Sequence, residues 1–429
     1  MSITRFAALR DRYSRPYLFA AGLSMLGDNI EHVITYWVLW GKFHSPALAG
    51  FEVISHWLPF LLLSVTFGGL AQRFDCRKLI QIAQLLFMLV SVCWGVLFLT
   101  GSLQIWQACV LLVLHGCAGA LWGPAEQLML HDFAEPQDLP GAIRMNATFR
   151  SLGILFGPAV GSALLLGLGP VVGIFINVAF YLPMTLLMFR TPYTGHTRDR
   201  ALALAAPTPV TAELPVAVAK PSGGLLGSLR TVREVHLTPV VVSMIALSGL
   251  TALFVGGSLQ AVMPAFAVAL GAGASGLAYG ALLFANGIGG VVGGFLLEAI
   301  GILKPNAVTA IVSTVIFGAS ILVFSTTGSY AVAIIALVVG GIANIASLSV
   351  SQSIVQLEAR PAERGRVIGL FGTVANGFRT GSGIIIAALG AIAGVRGSLA
   401  ISAALLTLGA LLIGLSVWRT RRVGLGETG

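Results

Sequence analysis

Residues 79–100 read LIQIAQLLFMLVSVCWGVLFLT, an apolar run without one charged side chain. A helix needs about 20 consecutive apolar residues to cross the hydrocarbon of a bilayer, and this run is long enough. Gly101-Ser102 behind it breaks the pattern as a turn does. A second apolar run follows over 103–128. Two such runs joined by so short a connection predict an antiparallel pair of membrane-spanning helices.

Outward from that pair, further apolar runs lie at 17–41, 46–71, 142–166, 169–189, 238–268, 275–299, 305–325, 329–353, 366–393 and 397–418. The expectation is an all-α membrane protein with twelve transmembrane helices. Composition agrees, since 56% of the 429 residues are hydrophobic and only 10% charged, against about a quarter charged in soluble domains. The 53 glycines suit close helix packing in lipid, where small residues let backbones approach. A soluble fold is excluded. The net charge of +9 would suit a nucleic-acid partner only if the cations shared one surface. They are strung between apolar runs instead, so no nucleic acid is expected.

Arg5, Arg10, Arg12 and Arg15 ahead of an apolar run resemble a signal peptide. That run reaches Gly41 without a small-residue cleavage site, so it is read as the first span. Cys76, Cys93, Cys109 and Cys117 have no CxxC spacing, and three of them lie in apolar runs, which predicts buried thiols.

Lys and Arg in short flanks stay in the cytoplasm. With the N-terminus inside, 21 of the 25 Lys and Arg fall on cytoplasmic flanks, Lys42 and Arg396 fall outside, and Arg150 and Arg379 lie within spans. Both termini are therefore expected in the cytoplasm of a bacterial cell, with the chain in the inner (plasma) membrane. The stretch 190–237, with Pro192, Pro207, Pro209, Pro215 and Pro221, reads as a cytoplasmic linker. It would join two pseudo-symmetric six-helix bundles, 1–189 and 238–429. At a shift of about 225 residues Gly116, Gln127 and Pro136 fall on Gly341, Gln352 and Pro361, and Asp138 and Ile143 fall on Glu363 and Ile368. Gly68-Gly69-Leu70-Ala71-Gln72 aligns with Gly294-Phe295-Leu296-Leu297-Glu298 at a shift of 226. Repeats of this kind place a substrate site at their interface, near mid-membrane.

Three segments resemble motifs of the major facilitator superfamily. Gly68-Gly69-Leu70-Ala71-Gln72-Arg73-Phe74-Asp75-Cys76-Arg77-Lys78 is similar to that family's GxLaDRxGRR loop between spans two and three. The resemblance implies a gating loop that ties the halves together on the cytoplasmic side. Gln72 replaces the family's acidic residue, which weakens the carboxylate latch or moves it to Asp75. The loop's glycines would allow close helix approach, and its cations can meet helix C-termini. In span five, Gly153-Ile154-Leu155-Phe156-Gly157-Pro158-Ala159-Val160-Gly161-Ser162 resembles the GxxxGPxxGG motif of the exporting branches, with Ser162 in place of the last glycine. The third segment is Pro361-Ala362-Glu363-Arg364-Gly365-Arg366-Val367-Ile368-Gly369. With Trp122-Gly123-Pro124-Ala125 and Arg144-Met145-Asn146-Ala147, it is similar to the bacterial branch that includes the enterobactin exporter and macrolide efflux proteins. This implies outward movement of a small molecule such as a siderophore or drug-like compound.

Ionisable residues inside spans are costly, about 2.5 kcal/mol or more each, and are functional candidates by default. In span one, Asp28, Glu31, His32 and Thr35 fall on one helix face at mid-membrane depth. Glu52 and His56, one turn apart in span two, reach about the same level. Such a cluster can exchange protons. Asp28 is read as the coupling carboxylate, tuned by Glu31, His32 and Glu52, with protons as the coupling ions. The same types in Asp28, His32, Glu52 and His56 could ligate a divalent transition metal, so a metal exporter is the alternative reading. Arg379, midway along span eleven, must face protein or a water-filled cavity and could meet an anionic substrate or a carboxylate. Glu126 and Arg150 could form a gate pair, and His115, Tyr181, Gln260, Asn286, Asn344 and Asn376 could line a cavity or bond between helices. No Walker loop or HExxH motif is present, so neither ATP-driven transport nor zinc-protease chemistry is expected. The sequence thus reads as a monomeric secondary transporter without a cofactor, acting on a small molecule in the lipid bilayer.

Overall fold

The computed structural model describes residues 12–133, 139–197, 233, 237–271, 276–300, 306–360 and 364–426. Arg5, Arg10, Pro136, Asp138, most of the expected linker and Pro361–Glu363 lie outside the described residues, as do the side chains of Ile143, Arg144, Glu298, Arg364, Arg366 and Ile368.

Among the described residues the chain is helical with no strand. In the first half run α1 (Ser14–Phe43), α2 (Pro46–Arg73), α3 (Cys76–Thr100), α4 (Ile105–Phe133) and α5 (Leu139–Arg190). In the second run α6 (Pro239–Thr251), a π-turn (Ala252–Gly256) and α7 (Ser258–Ala269), then α8 (Gly276–Ile300), α9 (Ala307–Thr326), α10 (Tyr330–Glu358), α11 (Arg364–Gly377) and α12 (Arg379–Gly426). Eight stretches among the described residues are long and apolar enough to cross a membrane. Two of these are double passes, in α5 and α12; adding α1 and α8 gives the expected twelve traverses.

Local chemistry sets the ends. Asp75 caps α3, its carboxylate accepting from Arg77 N, and Gly101 closes that helix at φ 66, a left-handed conformation open to glycine. Thr238 caps α6 ahead of Pro239, and Asn306 caps α9. Gly169 (φ 77, ψ 169) breaks α5 into two helical stretches at a kink, and Gly394 (φ 70, ψ 169) does the same in α12. These two glycines stand 225 residues apart, the shift at which the sequences of the halves align.

Side chains such as Leu85, Leu89, Val96 and Leu99 along α3, and Leu408, Leu411, Leu412 and Leu415 along α12, are exposed. Water would not tolerate such stripes, but lipid matches them. All four cysteines are free, and Cys76 alone is fully buried; the other three sit part-way out on their helices.

The chain forms two compact units. The first comprises 1–32, 59–157 and 171–227, and the second 33–58, 158–170 and 228–429. The division crosses α1 after His32, α2 after Leu58 and α5 after Gly157. The first unit's apolar core gathers Tyr17, Ile80, Phe87, Met129, Tyr181 and Met184. The second unit's apolar core gathers Met244, Leu247, Ala310, Val355, Phe371 and Ala410.

Candidate functional site: an acid and imidazole network in the first unit

His115 of α4 stands between two carboxylates of α1. Its Nε2 lies 2.8 Å from Asp28 Oδ1 and its Nδ1 lies 2.9 Å from Glu31 Oε1. A neutral imidazole donates from one ring nitrogen only, so both contacts are donated hydrogen bonds only when the ring is protonated. Asp28 and Glu31 share one face of α1 because they are three residues apart, which lets one ring meet both. His32 Nδ1 is 3.8 Å from Asp28 Oδ2, and the two imidazoles meet edge to face at 4.9 Å.

The network extends through α3 and the second pass of α5. Ser91 Oγ donates a short hydrogen bond to Glu31 Oε2, and Asn177 Nδ2 donates to Ser91 Oγ at 3.3 Å. Phe87 closes the site below His115, with ring centroids 4.8 Å apart, and stacks on Tyr181 at 5.1 Å. One turn nearer the N-terminus of α1, Ser24 donates to Gln84 Oε1 at 3.1 Å. The side chains grade in exposure from Asp28 at 12% to Glu31 at 2%. Asp28, His115 and Glu31 are all buried, Asp28 the least deeply and Glu31 the most.

A second buried pair lies along α4 and α5. Glu126, fully buried, takes a short charge-assisted bond from Arg150 Nη1 and another from Asn146 Nδ2 at 3.0 Å. The Arg150 guanidinium also lies 4.7 Å over the Trp122 ring. Here the two residues expected as a gate pair do meet, inside one unit.

The loop between α2 and α3 is built around Asp75. Its carboxylate takes two bonds from Arg77 Nε, at 3.0 and 3.2 Å, and one from Nη2 at 2.7 Å. Burial alone would raise the Asp75 carboxyl, but these bonds and the Arg77 charge hold it below its ordinary value. Arg77 Nη1 reaches the Thr191 carbonyl just past the end of α5, at 2.8 Å, where a cation meets the helix's partial negative charge. Gln72, Arg73 and Lys78 are exposed. A Cβ at Gly68 would meet nothing within 4 Å, so close helix approach is not what occupies this position here.

The span-five glycines are crowded. A Cβ at Gly153 would sit 2.5 Å from Gly22 O of α1, and one at Gly157 would overlap Asn29 Cβ. Gly161 is buried as well, and Pro158 follows Gly157 at the point where α5 passes from one unit to the other.

Glu52, His56 and Arg379 belong to the second unit. Glu52 is 2% exposed and no cation approaches it among the described residues. His56 meets the neighbouring Trp57 edge to face at 4.9 Å. Arg379, at the start of α12, lies 4.7 Å over Trp57. Asn376 faces outward and bonds the Gly372 carbonyl, while Gln260, Asn286 and Asn344 are half-buried.

Helical period puts Asp28, Glu31 and His32 on one face of α1, and the structure brings these three together. The centre of the network is His115, and Ser91 and Asn177 complete it. Nothing in the spacing along α3, α4 or α5 could pair them with α1, because helix register between distant spans is not written in local periodicity. Their one signal is a polar side chain inside an apolar run.

The described residues thus form a kinked helical membrane protein with a buried acid and imidazole network in its first unit. A sequence model of the Major Facilitator Superfamily matches residues 17–382. The chain belongs to that family and is a multi-pass membrane transporter, not an enzyme. It is 25% identical over 169 residues to YfiS of Bacillus subtilis strain 168, described as an uncharacterized MFS-type transporter. That stretch is 39% of either chain, so the likeness spans about two fifths of the relative's length. Among solved structures, a POT family transporter in complex with a thioalcohol-conjugated peptide is similar with a TM-score of 0.68 at 10% identity, over 94% of this chain and 96% of that one. A bacterial homolog to the human lysosomal transporter Spinster, inward-facing and occupied, gives 0.65 at 15% identity over 94% and 96%. A point mutant of the nucleoside transporter NupG gives 0.64 at 12% identity over 94% and 98%. At these identities the likeness is one of fold.

Proposed function

We propose that this transporter is a proton-coupled exporter, an antiporter that moves a siderophore or drug-like molecule out of the cell by alternating access between its two six-helix halves. It works as a monomer in the bacterial inner membrane with both termini in the cytoplasm, and residues 190–237 link the halves. The observation that carries this reading is the bridge from His115 to Asp28 and Glu31. With the imidazolium between two carboxylates the trio holds one net negative charge, which one further proton discharges. Charge burial in a bilayer interior is expensive, so the protonated and deprotonated trio favour different surroundings, and that difference drives a switch between states. Asp28, the most exposed member, takes the proton. The tight seam of Gly22, Gly153 and Gly157 between α1 and α5 supports export through the motif resemblance. The Asp75 and Arg77 clasp supports a gating role for the loop.

The test is counter-transport by purified protein in proteoliposomes under an imposed pH gradient, screening siderophores, drugs and divalent metals. Asp28→Asn should lower pH-driven flux at least tenfold, about 1.4 kcal/mol or more in the driven step. Driven flux at the wild-type rate sinks the coupling assignment.

A second reading has its own observation. The donor atoms of Asp28, His32 and His115 lie within 4.8 Å of one another, a spacing that a divalent transition metal as cargo could bridge. It draws on His115 where the sequence pointed to Glu52. Metal-dependent uptake into inverted vesicles, lost in His32→Ala, would favour it over proton exchange.

A further inference from the structure

In the second unit, two spans break at one place. The pass formed by α6 and α7 is interrupted by the π-turn Ala252–Gly256, and the pass formed by α11 and α12 is interrupted at Phe378. Arg379 sits at the second break beside the first. A Cβ at Gly256 would lie 3.3 Å from Arg379 Cγ, and one at Gly257 would lie 3.1 Å from Ser382 Oγ and 3.4 Å from the Arg379 carbonyl. Two successive glycines thus let the π-turn close on the arginine stem. Unwound turns inside spans recur where transporters hold ligands.

The guanidinium is half-buried and its carbon lies 4.7 Å from the centre of the Trp57 ring, a cation–π contact that holds the head group in place. Its Nε makes one long bond to the Ala375 carbonyl at 3.4 Å. Among the described residues no carboxylate lies within ion-pair distance of it, and its Nη atoms donate no hydrogen bond there. Arg has five N–H donors in a rigid fork that matches a carboxylate two-to-two. A permanent cation in a bilayer protein without a counter-charge is costly. Apart from Arg379 itself and Ser382, whose hydroxyl donates to the Arg379 carbonyl, the side chains the glycines of the two breaks meet are apolar, Leu253 against Gly381, Val53 against Gly257 and Val374 with Phe378 against Gly249.

From these observations we infer that the Arg379 fork, oriented by Trp57, is the recognition group for a carboxylate on the transported molecule, so that the substrate is an organic anion with an apolar body. This rests on the transporter reading above and adds the charge class of its cargo. Lys in the same place would supply the charge but not the planar fork.

The test is equilibrium binding of radiolabelled benzoate to the purified full-length protein in nanodiscs, with benzamide as the neutral isostere. Saturable benzoate binding is expected, with benzamide at least tenfold weaker. Arg379→Gln should lose at least tenfold in benzoate affinity and Arg379→Lys should fall between, both with the wild-type elution profile. Equal binding of benzoate and benzamide, no saturable benzoate binding to the wild type, or unchanged affinity in Arg379→Gln overturns the inference. Because binding needs no gradient, its failure leaves Asp28-dependent flux untouched. Conversely, loss of coupling leaves Arg379-dependent binding standing.

Discussion

In the first unit His115 stands between Asp28 and Glu31, Arg150 is set against Glu126, and Asp132 accepts from Gly195 N and Thr197 N. In the second unit Glu52 and Arg379 are also withdrawn from water, yet among the described residues neither meets an opposite charge. The difference separates two uses of charge in a membrane protein. In the first unit the acids meet cations or donors of the same unit, and the His115 trio keeps one net negative charge when its ring is protonated, the charge on which the proposed proton exchange turns. Under the inference drawn for Arg379, its charge is met by the carboxylate of the transported molecule.

The comparison breaks first, and by the largest margin, at its centre. His115→Ala leaves Asp28 and Glu31 buried without their bridge, and removing one partner of a buried charged set costs about 3–5 kcal/mol. Arg379→Gln should leave the melting point unchanged or raise it, since a desolvated cation without a partner costs free energy. Thermal unfolding of the two variants in detergent decides the matter. Equal losses in both would erase the distinction between the units.

A smaller effect sharpens the comparison at the seam between α1 and α5. Gly153→Leu overpacks a contact where even a Cβ would sit 2.5 Å from Gly22 O, and overpacking costs about 1–3 kcal/mol. Gly68→Leu, in the open loop motif, should cost little. Unfolding midpoints in the same detergent test this, and a Gly68 variant as unstable as the Gly153 variant would refute it.

The smallest effect lies at the cap of α3. Asp75→Ala removes an N-cap worth about 0.5–2 kcal/mol. The Asp75 carboxyl is held below its ordinary value in the folded protein. Its contribution is therefore complete above the unfolded value of about 4 and goes as pH falls from there through the folded value. The gap in stability between wild type and variant should be full at pH 7 and shrink below about pH 4. A gap independent of pH would mean that Asp75 acts by packing alone.

Much of the fold was legible because lipid imposes a simple rule. Every span must be long, apolar and internally hydrogen-bonded, so run length alone marks spans such as 79–100. The recurrence at about 225 residues was legible as well, and the kinks at Gly169 and Gly394 extend it. Part of the site was legible too, since Asp28, Glu31 and His32 are close in sequence and helical period puts them on one face. His115 was legible as a polar side chain that could bond between helices, as it does, but its partners were not, nor were Ser91 and Asn177, because these contacts join α1 to α3, α4 and α5. Gly68 and Gly153 looked alike as motif glycines, and only their neighbours tell them apart.

Run length and helical period alone therefore mark a bundle of membrane helices with a carboxylate and imidazole face on its first span. Composition and period are properties of single helices, and lipid reads them directly. That His115 joins the two carboxylates, and that Arg379 stands over Trp57 beside a π-turn, emerges only from how the helices pack. Those contacts depend on the rotation and depth of one helix against another, which packing of the whole bundle sets.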